Sequence, residues 1–191
     1  ICYADTLMWI GNQVRPYEIT PGQSDETVDK WVDIISHELE TGVSVGGLKN
    51  ITKKLSLICK DFSNINTEKR DKIKVGIVGE VYAKFSSLAN NNLEEFLQSQ
   101  NCEVMLPGLM GFMIFKVDNR LEDIKLYGGS KIKFFFVKRI INYLTKIEAV
   151  FTETIKQAQK FTTPSTYAHV KSLVKNIIGY GSKMGEGWFL T

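Results

Sequence analysis

The chain has 191 residues, 24 basic and 21 acidic for a formal net charge of +3, with 43% hydrophobic and 24% charged residues. That length suffices to bury a core as one domain or two small ones, and that balance excludes a disordered polyelectrolyte. So small a charge gives no footing to a nucleic-acid partner. With no apolar run near the ~20 residues that span a bilayer and no leader pattern, a cytoplasmic protein without a membrane partner is expected.

Cys2, Cys59 and Cys102 lie far apart, without a CxxC pair and with only His37 and His169 to assist them. This argues against a zinc site or a disulfide framework, so each thiol reads as a small buried hydrophobe and no metal ligand is assigned.

Residues 1–14 read as a helix on Tyr3, Leu7, Met8 and Ile10, interrupted at Gly11-Asn12 and stopped by Arg15-Pro16, since the residue before proline avoids the α region. After the turn Thr20-Pro21-Gly22, Ser24 is placed to cap a second helix with a face of Val28, Trp31, Ile34, Ile35 and Leu39, ending at Thr41-Gly42. A third helix follows Gly46-Gly47, with Leu48, Ile51, Leu55, Ile58 and Phe62 at helical spacing. Residues 1–72 thus form a helical segment, with the polar stretch 64–72 as its linker.

Residues 73–191 read differently. Ile73, Val75, Ile77 and Val78 make a β-branched run ending at Gly79-Glu80, the pattern of a parallel strand covered on both faces. Asn90, Asn91 and Asn92 can cap a helix on Leu93, Phe96 and Leu97, and Cys102, Val104 and Leu106 then alternate toward Pro107 as a second strand. The expectation is a right-handed β-α-β unit with its first strand central in a layered α/β sheet, the two segments either separate or joined in one compact domain.

Past Pro107, Leu109 to Phe115 reads as a helical turn or two, and 118–129 as a polar connection broken at Gly128-Gly129. Residues 131–160 carry the longest periodic stripe: Phe134, Val137, Ile140 or Ile141, Leu144, Ile147, Phe151 and Ile155. Pro164 suits the first turn of a last helix running through Val170, Leu173, Val174 and Ile177.

Open α/β sheets bind ligands beyond the carboxyl ends of their strands, which points to residues 80–92. Glu80, Tyr82, Lys84, Ser86, Asn90 and Asn91 are therefore the candidate ligand-binding residues, able to meet an anionic group at a helix N-terminus. The competing reading is a solvated loop with ordinary capping asparagines. Gly76 and Gly79 give only half of a dinucleotide fingerprint. Lys131, Lys133, Lys138, Arg139 and Lys146 form a basic side to the long helix, read as a solvated face rather than a site for a phosphate-rich cofactor.

Several motifs carry a family resemblance in order along the chain. They are Asp5-Thr6-Leu7-Met8, Arg15-Pro16-Tyr17-Glu18 with Pro21-Gly22, the run 75–82, 90–94, and Glu186-Gly187-Trp188-Phe189-Leu190-Thr191. Together they resemble an internal portion of proteins related to 2-hydroxyacyl-CoA dehydratases and benzoyl-CoA reductases, in the branch of CoA-substrate-specific enzyme activases, the activators of 2-hydroxyglutaryl-CoA dehydratase. The opening on Ile1 and the close on an unfinished helical pattern likewise read as an excerpt.

The resemblance implies a flavodoxin-like, Rossmann-type parallel sheet. It also implies a dehydratase-like portion of an ATP-driven iron–sulfur system acting on acyl-CoA, with an actin-like ATPase activator module or a sister dehydratase subunit as partner. No cofactor is expected within this fragment; a [4Fe–4S] cluster is implied for the full-length protein. Two departures stand out: the ATPase glycine motifs are missing, and Pro107-Gly108-Leu109 occupies the place where related dehydratases put a cluster cysteine. The alternative is a noncatalytic scaffold that docks the ATPase or a sister subunit through the long helix, Trp9, Trp31 and Trp188.

Overall fold

The computed structural model describes residues 1–42, 46–68 and 70–181. Helix α1 (Cys2–Val14) runs into a 3-10 turn (Arg15–Tyr17), then α2 (Gln23–Glu40) and α3 (Leu48–Ser63) follow. Strand β1 (Lys74–Gly76) is joined to β2 (Glu103–Met105) through three short helices, α4 (Val81–Phe85), α5 (Ser87–Asn90) and α6 (Leu93–Ser99). Helices α7 (Leu109–Tyr127), α8 (Lys131–Gln157) and α9 (Tyr167–Leu173) complete the described chain.

The main core is helical. Ile51, Leu55, Ile58 and Phe62 recur at helical spacing on α3 and are buried against Leu7, Ile10 and Val14 of α1 and Ile147, Phe151 and Ile155 of α8. Met110, Ile114 and Phe115 of α7 join the same cluster, so residues from both sides of position 72 share one interior. Each large apolar side chain so enclosed contributes roughly 1.5–3 kcal/mol relative to exposure. Helix α1 passes unbroken through Gly11-Asn12, because Asn12 donates from Nδ2 to Glu94 Oε1 at 2.8 Å and accepts from Arg15 at 2.8 Å instead of turning the chain.

The expectation of a flavodoxin-like parallel sheet is overturned. The described residues are 67% helical, and the sheet among them consists of β1 and β2 alone. These do pair in parallel, Lys74 with Glu103, Val75 with Val104 and Gly76 with Met105, but the layer ends there. The β-branched run misled because its pattern belongs to strands covered on both faces, whereas Ile73 is 73% and Val78 59% exposed and only Ile77 is buried. Ile77, Val104 and Leu106 form a small cluster resting on Met8, Leu93 and Leu97; Phe96, expected on that face, is exposed.

Other elements are also redrawn. Residues 109–127 form one continuous helix, because the polar positions Asp118 and Glu122 are engaged by α9: Tyr167 Oη donates to Asp118 Oδ2 at 2.7 Å and Lys171 Nζ lies 2.8 Å from Glu122 Oε1. Helix α2 is capped by Glu18 rather than Ser24; its carboxylate accepts from the Gly22 and Ser24 amides at 2.6 and 2.8 Å, while Ser24 Oγ is buried without a partner among the described residues. Helix α9 begins at Tyr167, not Pro164, with Thr166 as its cap, and stops at Leu173.

Candidate functional site

The residues that carried the family resemblance act as joints between elements. Asp5, buried on α1, accepts from the amides of Leu109 and Met110 at 2.9 and 2.7 Å and so caps the N-terminus of α7 across most of the chain. Gly108 makes this approach possible: a Cβ there would stand 2.5 Å from Asp5 Cγ. Tyr17 Oη donates to Glu103 Oε2 at 2.7 Å, and burial together with that carboxylate pushes the phenol up to about 12. Arg15 pairs with Asp25 at 2.7 Å.

Behind this cap lies a cavity of about 240 Å³ between α1, α4, α7, α8 and the chain leading into α9. Trp9, Met110, Phe151 and Val170 give it apolar walls. Both strands feed it from their carboxyl ends: the loop after β1 leads to Lys84 on α4, and the loop after β2 supplies Pro107 and Gly108. Lys84 is only 3% exposed.

Two carboxylates border the cavity, and both cap helices. Asp5 holds α7, and Glu148 of α8 accepts from the Tyr167 amide at 2.7 Å at the start of α9. Burial pushes both carboxyls above their ordinary range, against the amide hydrogen bonds that hold them down. In the same wall, Thr152 Oγ1 is buried with no hydrogen-bond partner among the described residues. A wall of that composition can seat a short apolar group, with Lys84 and Thr152 as polar members of its lining.

Of the candidate residues read from the sequence, Lys84 alone lines this cavity. Glu80 is exposed at the start of α4 and Tyr82 is 61% exposed. Ser86 caps α5, its hydroxyl accepting from the Ala89 amide at 3.4 Å. Asn90 is a local clamp: it donates to the carbonyls of Ala83 and Lys84 at 3.0 and 3.1 Å and accepts from the Leu93 amide at 3.3 Å. Asn91 is exposed in the left-handed region, with a φ of 54°. The capping reading of this loop therefore describes Ser86 and Asn90. Asp5, Glu148 and Thr152 were missed; Asp5 alone carried a signal, inside the Asp5-Thr6-Leu7-Met8 motif.

The three thiols do not suit an iron–sulfur cluster. All are buried, burial pushes Cys2 up to about 12 and Cys59 up to about 11, and no three His, Cys, Asp or Glu side chains among the described residues gather as a metal-binding group. A cluster needs thiolates. Trp31 is buried and Trp9 half-buried, their indole N–H groups donating to Asp61 Oδ2 at 3.0 Å and to the Thr162 carbonyl at 2.8 Å respectively. Trp188 and the motif 186–191 lie outside the described residues. No helix among the described residues is long and apolar enough to cross a membrane.

Compared with known proteins, the chain matches no family model, no curated protein and no solved structure.

Proposed function

We propose that this chain is the dehydratase-like portion of an ATP-driven iron–sulfur protein acting on acyl-CoA, with cluster and ATPase held outside these residues, and that the cavity beside Lys84 receives the acyl end of the thioester. The observation that carries this reading is the buried Lys84 ammonium delivered into an apolar-walled cavity at the carboxyl ends of both strands. At about 240 Å³ the cavity suits a short acyl chain; pockets for whole drug-sized ligands run to roughly 300–1,000 Å³, so the nucleotide part of CoA would lie outside it. Lys84 would offer a hydrogen bond to the thioester carbonyl oxygen, and Trp9 and Phe151 would exclude water from the acyl chain. Asp5, from the motif at the start of the chain, supports the reading by lining that cavity.

Trp9 provides the test. In the full-length protein, butyryl-CoA should quench indole fluorescence saturably, Trp9→Phe should abolish that response, and Lys84→Met should weaken binding by about tenfold, the loss of one charge-assisted hydrogen bond. If Lys84→Met does not fold, Val170→Trp, which fills the cavity from a half-buried position, should weaken binding in its place. Equal responses to CoA and butyryl-CoA, or binding indifferent to both variants, would overturn the proposal.

The alternative, a noncatalytic scaffold that docks an actin-like ATPase module or a sister subunit, is favoured by a different observation: the apolar side chains exposed along the outer part of α7 and α8.

A further inference from the structure

The hairpin of α7 and α8 is two structures in one. Every buried residue of α8 lies at or beyond Ile147, and those of α7 end at Leu121. The outer arm between them buries no residue, yet Leu126, Tyr127, Ile132, Phe135, Phe136 and Ile140 are each more than half exposed. A contiguous apolar surface of this kind marks an interaction site.

The arm also carries a trough. Two hollows follow one another along the crevice between the helices: about 570 Å³ beside Tyr127 and Lys133, and about 520 Å³ beside Arg120 and Ile140. Tyr127 and Arg120 stand two turns apart on α7, as do Lys133 and Ile140 on α8, so the hollows lie along one line parallel to the hairpin. At about 1.5 Å per residue the line from Lys116 to Tyr127 is ~16 Å long. Its middle is floored by Val117, Val137 and Ile140 and edged by Lys116 and Arg120.

Charge selects the occupant. Between residues 125 and 147 the charged residues are Lys125, Lys131, Lys133, Lys138, Arg139 and Lys146, with no acid among them. On α7, Asp118 and Glu122 are turned to Lys171 of α9, and only Asp123 reaches the outermost hollow. Lys116, Arg120, Lys133 and Arg139 form no salt bridge among the described residues. A second copy would set these cations against themselves, and a flat bilayer would meet the arm's convex side rather than fill a groove between two helices.

We propose that this trough seats an amphipathic helix of a partner protein, one whose apolar stripe enters Val117, Val137 and Ile140 and whose flanking carboxylates meet Lys116, Arg120 and Lys133. This is helix-in-groove recognition, with apolar contacts for affinity and charge for partner choice. It stands independently of the cavity reading.

The test uses a fluorescein-labelled helical peptide of about 18 residues, enough to span the trough, with Leu at heptad a and d positions and Glu at e and g. Its anisotropy is titrated with the full chain beside a Lys-flanked twin and a scrambled Glu peptide. The Glu peptide should bind, and bind the more weakly as salt is raised. Ile140→Asp should weaken it by about tenfold or more, the scale of a central interface residue. The double variant Arg120→Glu with Lys133→Glu, both positions exposed, should transfer the preference to the Lys-flanked twin; that swap remains decisive if Ile140→Asp unfolds. Equal binding of the twins, binding of neither, or retention of the arm only by phosphatidylserine vesicles or by self-association in sedimentation would overturn the proposal.

Discussion

The two apolar clusters of this molecule differ in what encloses them. The large one draws Leu7 and Ile10 from α1, Leu55 and Phe62 from α3, Ile114 from α7 and Ile155 from α8, so each side chain is met from several helices. The small one has three buried members, Ile77, Val104 and Leu106, and rests on α1 and α6 through Met8, Leu93 and Leu97. The helices hold the molecule together, and the strand pair is held by them. If so, Phe62→Ala, which empties a fully enclosed site, should cost about 3–5 kcal/mol in urea denaturation. Leu106→Ala, in a cluster with fewer walls and more room to relax, should fall near the lower end of the large-to-small range, at about 2 kcal/mol. The reverse order would place the stabilising interior at the sheet.

This difference also explains what the sequence disclosed. Helical periodicity on α3 and on the inner half of α8 was legible because those stripes are buried, and a buried stripe is what a regular hydrophobic period records. On the outer half of α8 the stripe residues Phe134, Val137, Ile141 and Leu144 are half-buried, whereas Ile132, Phe135 and Phe136, off that stripe, are exposed, and residue types alone do not distinguish such apolar positions from a core. The run at 73–78 failed for a related reason: β-branching favours extended backbone, not neighbours, and only Ile77 found a covering layer. The polar span 118–129 read as a connection because Asp118 and Glu122 had partners on α9 that lie far away in sequence. Of the site, Lys84 was named from its place after a strand, while Asp5, Glu148 and Thr152 reach the cavity through tertiary packing alone.

Asp5 and Gly108 form the seam between the two regions, and breaking it should give the next largest effect. Asp5→Ala strands two buried amides at the head of α7 and should cost about 2 kcal/mol. Gly108→Ala drives a Cβ to 2.5 Å from Asp5 Cγ and should cost about 1–3 kcal/mol, the usual scale of overpacking. Because the new methyl collides with the side chain that the first variant removes, the double variant should cost less than the two singles together. Additive costs would mean that the seam is not a contact. The acid dependence has a definite sign. Burial raises the folded-state pKa of Asp5 above its unfolded value, so its contribution to stability is fully present below the unfolded pKa and lost as pH rises through the folded one. The stability difference between the parent chain and Asp5→Ala should therefore widen as pH is lowered through the carboxyl range.

The smallest expected effect is the sharpest separation of the two regions. Ile73 sits one residue before β1 in the most strand-like stretch of the chain, and in a covered sheet Ile73→Lys would strand an ammonium group in apolar surroundings at a cost of several kcal/mol. Its carbonyl bonds to the Glu103 amide at 2.9 Å, but its side chain is 73% exposed, and the backbone bond survives the substitution. Exposed positions away from special features change stability by within about 0.5 kcal/mol. A urea midpoint for Ile73→Lys indistinguishable from the parent is therefore expected, alongside an unchanged m-value. A loss of about 2 kcal/mol or more would show that the strand pair is covered in solution, and that the small cluster, not the helical one alone, carries the stability of this chain.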